Sequence, residues 1–248
     1  MLWLGLCFAS LVALPAAIYV SYLTGFKTNA VPYILGSGLL HALYFIFLAK
    51  AYEKGDLSTV YPLARGTGVL GTALLARILL HETISALGFF AVASVLMGIL
   101  LIITQSTPRN WGSLRFALLE GLSIIGYSLT DKAGISIINP IIYICLMFLV
   151  TALLLGPWVL CHYHEKMVEA WQKQKKSALV IGSGSLGTYL MVLYAFRISN
   201  VSYVVAAREF SVVIGTLLGV AVLKERFTLT KGVSITAITL GLVLMKMA

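Results

Sequence analysis

The chain has 248 residues, of which 60% are hydrophobic and only 11% are charged. Soluble domains are about a quarter charged and about half apolar, so a soluble globular protein is excluded. Intrinsic disorder is excluded too, because disordered chains lack this many aliphatic residues. The net charge of +9 is typical of the Lys- and Arg-rich loops of membrane proteins, and we do not expect nucleic acid as a partner. The composition therefore indicates a polytopic membrane protein.

Nine apolar segments of helical length follow one another along the chain. In chain order they cover residues 2–22, 33–50, 57–80, 84–103, 114–134, 140–161, 178–198, 201–223 and 229–246. Several gaps are so short that the neighbouring helices must be antiparallel, and the segments lack the period-two alternation of membrane strands. We therefore predict an all-α integral membrane protein with nine transmembrane helices, in which residues 162–177 form the only sizeable hydrophilic loop.

An internal repeat relates the two halves of the chain. One shift of the sequence on itself aligns three pairs: Arg65 with Arg208, Glu82 with Glu225, and Gly98 with Gly241. The same shift aligns two rows of small residues: Ala64, Gly68, Thr72 and Ala76 with Ala207, Ser211, Gly215 and Gly219. Small residues four positions apart share one helix face, so each row predicts a seam where a second helix approaches closely.

The repeat is predicted to be inverted. The arginine-bearing segments are the third and the eighth, so five spans separate them and they cross the membrane in opposite directions. We expect residues 1–105 to form a first repeat of four helices and residues 106–248 to form a second repeat of five. Many secondary transporters have inverted repeats, with the substrate near the midplane where the halves meet.

Several stretches of the sequence resemble a known family. Residues 51–68, which contain YPLARGTG, and residues 80–82 are similar to the first half of EamA-type proteins of the drug/metabolite transporter superfamily. Residues 201–204, 208–209 and 223–226 are similar to the second half. The YPLARGTG motif further resembles a branch associated with phosphonate utilisation.

The resemblance implies a ten-helix fold of two inverted five-helix repeats, from which this chain lacks the first helix. It also implies transport of a small-molecule solute across a lipid bilayer, here the bacterial inner membrane. The oligomeric state, including a homodimer, stays open.

Two arginines are the first candidates for a substrate site, because ionisable groups within membrane spans are costly and usually functional. Arg65 and Arg208 lie about 12 and 10 Å into their segments from opposite faces, at 1.5 Å per residue. Guanidinium groups bind carboxylate and phosphate-like groups well, which favours an anionic solute. The alternative is a structural role, with each arginine held by Glu120, Glu209 or backbone carbonyls.

Three further residues could carry protons for coupling to a proton gradient. Glu120 and Glu209 could take up a proton if burial disfavoured their charge, and His41 could titrate near neutrality. For Glu209 the preferred alternative is permanent pairing with an arginine. For His41 it is a hydrogen-bonded packing role. Asp131 and Lys132 sit near a helix end, where snorkelling of the side chains explains them.

Tyrosines and one flexible helix complete the predicted site. Deep tyrosines could form an amphipathic cavity wall: they are Tyr44, Tyr127 and Tyr189. A proline and two glycines could let the third helix bend: they are Pro62, Gly66 and Gly68.

No catalytic motif accompanies these residues. The sequence has no zinc-protease motif, nucleophile elbow or Walker loop, and its three cysteines show no paired spacing. We therefore expect neither an enzyme nor a cofactor or metal site. The sequence predicts a secondary transporter of a small polar or anionic metabolite that works by alternating access. The alternatives are a flippase for a lipid-linked substrate and a non-transporting membrane scaffold or assembly protein.

Overall fold

The computed structural model describes residues 1–54, 57–103, 111–214, 217 and 228–248. These residues form nine α-helices and one short 3-10 helix, Thr28–Ala30. The α-helices are α1 (Leu2–Thr24), α2 (Val31–Lys54), α3 (Leu57–Leu79), α4 (Ala86–Ile103), α5 (Trp111–Ile137), α6 (Pro140–Lys173), α7 (Lys175–Ile198), α8 (Val201–Ala207) and α9 (Leu229–Met247). Each predicted segment overlaps one of these helices, so the predicted all-α membrane fold is confirmed.

Five helices among the described residues are long and apolar enough to cross a membrane. They cover Leu2–Thr24, Thr28–Glu53, Pro140–Lys173, Lys175–Ile198 and Leu229–Met247. The helices α3 and α5 have 23 and 27 residues and carry the charged residues discussed below. Their length of about 35 to 40 Å at 1.5 Å per residue is still sufficient for a span.

The eighth predicted segment is interrupted. Helix α8 ends at Ala207, residues 208–209 form a turn, and residues 210–214 are helical again. Here the backbone hydrogen bonds join residues three positions apart, as in a tight turn, instead of four. The amide of Glu209 donates to the carbonyl of Ala206, and the amide of Val212 donates to the carbonyl of Glu209. The rest of this segment, including Gly215, Gly219 and Glu225 of the predicted repeat, lies outside the described residues.

The predicted hydrophilic loop at residues 162–177 is wrong. Helix α6 continues to Lys173, with a kink at Tyr163, and α7 begins two residues later. Asn139 caps the start of α6 by accepting a hydrogen bond from the amide of Ile141 at 3.0 Å. At its far end Met167 and Ala170, three apart on one face, pack with Leu4 of α1. This apolar stripe keeps the charged segment helical.

The described chain divides into two compact units. The first comprises Met1–Ala42 and Thr130–Ile198, and the second comprises Leu43–Leu129 and Ser199–Ala248. The unit boundaries therefore fall within α2 and α5.

In the first unit α1 packs against α6 and α7. Two glycines face each other between α1 and α7: a Cβ placed on Gly182 would lie 2.4 Å from the carbonyl oxygen of Gly5. Farther along α1, Ala13 and Ala17 form an apolar cluster with Cys145 of α6. Small residues thus let these three helices approach closely, as is typical of membrane interfaces.

In the second unit the row of small residues on α3 faces α5. Ala64 and Thr72 are fully buried. A Cβ placed on Gly121 of α5 would lie 2.8 Å from the carbonyl oxygen of Ala64, and one on Gly68 would lie 2.7 Å from Cγ2 of Ile124. The two backbones can come this close only because both positions are glycine.

Helices α4 and α9 of the second unit make reciprocal contacts. A Cβ on Gly98 would meet Ser234 and Ile238 of α9, whereas one on Gly241 would meet Ala91 and Val95 of α4. Between them the hydroxyl of Ser94 donates to the carbonyl of Ala237 at 2.8 Å, across a separation of 143 positions. Higher numbers on one helix pair with lower numbers on the other, so α4 and α9 are antiparallel.

The connection between α3 and α4 also holds α8 in place. His81 adopts a left-handed backbone conformation with φ of 52°, which is uncommon for a non-glycine residue and turns the chain after α3. The carboxylate of Glu82 then accepts hydrogen bonds from the amide of Val201 at 2.6 Å and the hydroxyl of Ser202 at 2.9 Å. A negative group at a helix start satisfies its free amides.

Candidate functional site

The candidate site forms in the second unit, at the interruption after α8. Arg208 and Glu209 occupy the turn between α8 and residues 210–214. In an unbroken helix these neighbouring side chains would project about 100° apart. The turn and the surrounding helices α2, α3 and α5 give each of the two charges a partner of its own.

Glu209 pairs with Arg65 of α3. The distance between Nε of Arg65 and Oε1 of Glu209 is 3.3 Å, and the side chains are only 11% and 1% exposed. The guanidinium of Arg65 also lies over the ring of Tyr61, 5.4 Å from its centroid. Tyr61 is connected in turn to the hydroxyl of Ser211 at 3.1 Å. The structure thus brings the first arginine and one of the two predicted carboxylates together as a buried ion pair.

Arg208 contacts the aromatic side of the same unit. Its Nη2 donates to the hydroxyl of Tyr127 at 3.2 Å, and its guanidinium lies 5.9 Å from the centroid of that ring. Tyr127 packs edge-on against Tyr44, with 5.9 Å between ring centroids. Tyr44 also interacts electrostatically with Arg65, Glu120 and Arg208. Two of the three deep tyrosines predicted from the sequence therefore lie beside both arginines.

Glu120 of α5 is the fourth charged residue of this group. It is 1% exposed, and its Oε2 has no hydrogen-bond partner among the described residues. Arg65 acts on it electrostatically but forms its ion pair with Glu209. A buried carboxylate oxygen without a donor is costly.

The predicted hinge residues lie in the unbroken helix α3. Pro62 is inside the helix, which runs from Leu57 to Leu79. A Cβ on Gly66 would lie 3.2 Å from Cγ2 of Ile99, and one on Gly68 would overlap Ile124. The two glycines therefore have a packing role in this structure, and their role as a hinge stays a prediction.

The two remaining predicted residues, His41 and Tyr189, lie in the first unit. Their rings meet edge to face, with 5.3 Å between centroids. They adjoin Asp131, whose carboxylate is fully buried and accepts hydrogen bonds from Ser37, Tyr143 and Tyr189. Snorkelling of Asp131 to a helix end is therefore wrong. The sequence signal for its burial was a carboxylate in a run otherwise rich in small and apolar residues.

Buried charges within a bundle of apolar helices are typical of multi-pass membrane proteins that move solutes or ions. The chain belongs to the EamA-like transporter family, whose model matches residues 111–247, more than half of its length. The model of the Small Multidrug Resistance protein family matches residues 1–96.

A protein of known crystal structure has the same fold. It superposes with a TM-score of 0.76 over 99% of this chain and 89% of its own, at 13% sequence identity. At this identity the similarity concerns the fold alone. A search of curated proteins gives no match.

Proposed function

We propose that this chain is a secondary transporter that moves a small polar or anionic metabolite across the bacterial inner membrane by alternating access. The observation that carries the proposal is a group of four charged residues in the second unit, two buried glutamates and two partly buried arginines: Glu120, Glu209, Arg65 and Arg208. In a membrane-spanning bundle such a group is too costly to keep without a use, and two tyrosine rings beside it offer apolar contact.

The pairing within the group assigns different roles to the two arginines. The charge of Arg65 is already balanced by Glu209 at 3.3 Å, so Arg65 fixes the site and holds α3 next to the turn after α8. Arg208, which contacts the Tyr127 hydroxyl, takes the anionic group of the solute, because a guanidinium offers a planar pair of donors to carboxylate or phosphate-like oxygens.

Glu120 provides the second polar contact. Its Oε2 lacks a donor among the described residues, so a hydroxyl or ammonium group of the solute would satisfy it. The rings of Tyr44 and Tyr127, which contact each other and interact with these charges, would offer the solute apolar carbon and one hydroxyl each. The site is therefore suited to a solute that carries an anionic group together with a donor group.

Alternating access would use the inverted repeats at residues 1–105 and 106–248. Two observations support this arrangement: the antiparallel α4 and α9 contact each other reciprocally, and the chain is interrupted at the charged pair, as in transporters with discontinuous helices. The proline and glycines of α3 would absorb the bending between states.

The test is solute counterflow in proteoliposomes that contain the purified full chain. Radiolabelled amino acids, phosphonates, nucleosides and polyamines serve as probes, after a thermal-shift screen has selected those that raise the melting temperature. We expect at least one anionic or zwitterionic probe to exchange. We expect Arg208→Gln to reduce its exchange at least about tenfold, the value of one lost charge-assisted hydrogen bond.

Arg197→Gln is the matched control, because Arg197 is exposed at the end of α7. It should exchange the probe at the rate of the unmodified protein. Movement of a labelled lipid without any solute exchange would instead identify a flippase. If neither solute nor lipid moves, the chain is a membrane scaffold and the proposal fails.

A further inference from the structure

A second polar centre lies in the first unit, around Asp131 of α5. The residue is fully buried, yet its carboxylate contacts hydroxyl groups from three other helices. Ser37 of α2 donates to Oδ1, Tyr189 of α7 donates to Oδ2, and Tyr143 of α6 lies 2.8 Å from Oδ1. The proposed substrate site lies in the second unit and uses none of these groups.

The hydrogens of this centre can be counted. The Tyr143 hydroxyl has one hydrogen but two acceptors: Oδ1 of Asp131 at 2.8 Å and the carbonyl oxygen of Tyr33 at 3.2 Å. If that hydrogen points to Tyr33, the Asp131–Tyr143 contact lacks a hydrogen. A proton on Oδ1 of Asp131 would fill the gap by donating to the Tyr143 oxygen. The centre therefore accepts one additional proton through the rotation of a single hydroxyl group.

A histidine is connected to the same carboxylate. Nδ1 of His41 lies 3.2 Å from the Ser37 hydroxyl and 2.9 Å from the Ser37 carbonyl, and the Ser37 hydroxyl donates to Asp131. When Nδ1 gives up its hydrogen to Oγ of Ser37, the hydrogen of that hydroxyl passes to Oδ1 of Asp131. The transfer starts from His41 as the imidazolium and leaves it as a neutral imidazole that keeps its Nε2 hydrogen. The Nδ1–H bond and the Ser37 O–H bond break, new O–H bonds form on Ser37 and on Asp131, and the carboxylate becomes a carboxylic acid.

Among the described residues, the ionisable side chains nearest to Asp131 are His41 and the adjoining Lys132, together with the tyrosines that surround it. Helix α2 presents Tyr33, Ser37 and His41, and α6 and α7 present Tyr143 and Tyr189. On α5 itself the neighbouring ammonium of Lys132 donates to the carbonyl oxygen of Phe196. The three hydroxyl groups that contact the carboxylate can stabilise either its charged or its protonated form.

We propose that Asp131 is a reversible proton-binding site, loaded through Ser37 from His41, and that its proton is the coupling ion of transport. The coupling rests on the proposed function, whereas proton binding by Asp131 does not. Protonation removes a buried negative charge on which α2, α5, α6 and α7 converge. The two protonation states therefore differ in how strongly these helices are held together, which is how a proton can bias a conformational equilibrium.

The test is an infrared titration of the full chain in lipid vesicles, without solute. A protonated carboxylic acid shows a carbonyl stretch that its carboxylate lacks. We expect a band that appears as the pH falls and is lost completely in Asp131→Asn. Tyr143→Phe should retain the band but shift its frequency, because the acid has lost its hydrogen-bond acceptor. Glu169→Gln, a substitution on the exposed face of α6, is the control and should leave the band unchanged.

If Asp131→Asn has the same carboxylic-acid bands as the unmodified protein at every pH, Asp131 is not a proton-binding site. Should Asp131→Asn not fold, the frequency shift in Tyr143→Phe decides in its place. The coupling is tested in proteoliposomes with the probe that exchanges best: Asp131→Asn should retain counterflow but lose the response of uptake to a pH gradient. Uptake that still responds would overturn the coupling, whereas absence of all exchange would overturn the proposed function and leave the infrared result standing.

Discussion

At the scale of single residues, the ion pair of Arg65 and Glu209 is the strongest constraint on the site. Taking two charges out of water is costly, and their attraction repays that cost only while both are present. Removing one partner leaves the other buried and uncompensated. The net stabilisation by the intact pair is therefore smaller than the destabilisation caused by removing either member.

This asymmetry gives a prediction for the pair. Glu209→Gln and Arg65→Met should each lower the free energy of unfolding by about 3 to 5 kcal/mol, and the double variant should recover most of that loss. Denaturation in mixed detergent micelles measures all three proteins. Single variants that lose little unfolding free energy, or a double variant whose loss is the sum of the two single losses, would show that the pair is only a weak contact.

The sequence could predict that these residues matter but not how they pair. Arg65, Glu120 and Glu209 were recognisable as charges within apolar segments, because such residues are rare in membranes. The pairing of Arg65 with Glu209 rather than Glu120 depends on the turn at residues 208–209. No local sequence pattern predicts that turn. Asp131 was missed for a related reason, since its three hydroxyl partners lie 12 to 94 positions away in the chain.

At the scale of helices, Glu82 joins the end of one element to the start of another. Its carboxylate accepts from the first amides of α8 and from the Ser202 hydroxyl, at distances down to 2.6 Å. Replacing a capping acceptor by alanine costs about 1 to 2 kcal/mol. Helix α8 has only seven residues, so it has few other bonds with which to compensate.

We therefore expect Glu82→Ala to lower the free energy of unfolding by about 1 to 2 kcal/mol and to increase amide hydrogen exchange at the start of α8. Glu165→Ala, on the exposed part of α6, should change stability by less than about 0.5 kcal/mol. Equal exchange at Val201 and Ser202 in the Glu82 variant and the unmodified protein would show that the cap is dispensable.

Helix prediction succeeded where burial and periodicity agree and failed where they do not. The apolar segments gave the helices to within a few residues at most ends, because length and composition dominate in a membrane. The end of α6 is polar and was therefore predicted as a loop. Its helical state depends on the contact of Met167 and Ala170 with Leu4 of α1, a residue far away in the sequence.

At the scale of the whole molecule, the contact between α4 and α9 involves residues that the sequence shift aligns with each other. Gly98 meets Ser234 and Ile238, and the residues that the sequence shift aligns with these make the same contact from the other side. The alignment of Gly98 with Gly241 depends on the sequence alone. Reciprocal contacts of this kind are those of a two-fold interface.

Gly98→Ala and Gly241→Ala should therefore have matching effects. Each new methyl group would lie 2.6 Å from an atom of the facing helix, and overpacking of this kind costs about 1 to 3 kcal/mol. Thermal unfolding in detergent should give similar losses for the two variants, and Gly187→Ala, with open space around its Cβ, should show none. A large difference between the two glycines would mean that the interface is not reciprocal.

The reciprocal contact has a consequence for motion. Suppose that the two halves of the chain exchange their conformations when the binding site changes the side of the membrane to which it opens. A contact formed by equivalent residues of both halves is then the same before and after the exchange. The contact between α4 and α9 would then stay fixed during the conformational change, and the helices that move would lie elsewhere in the chain.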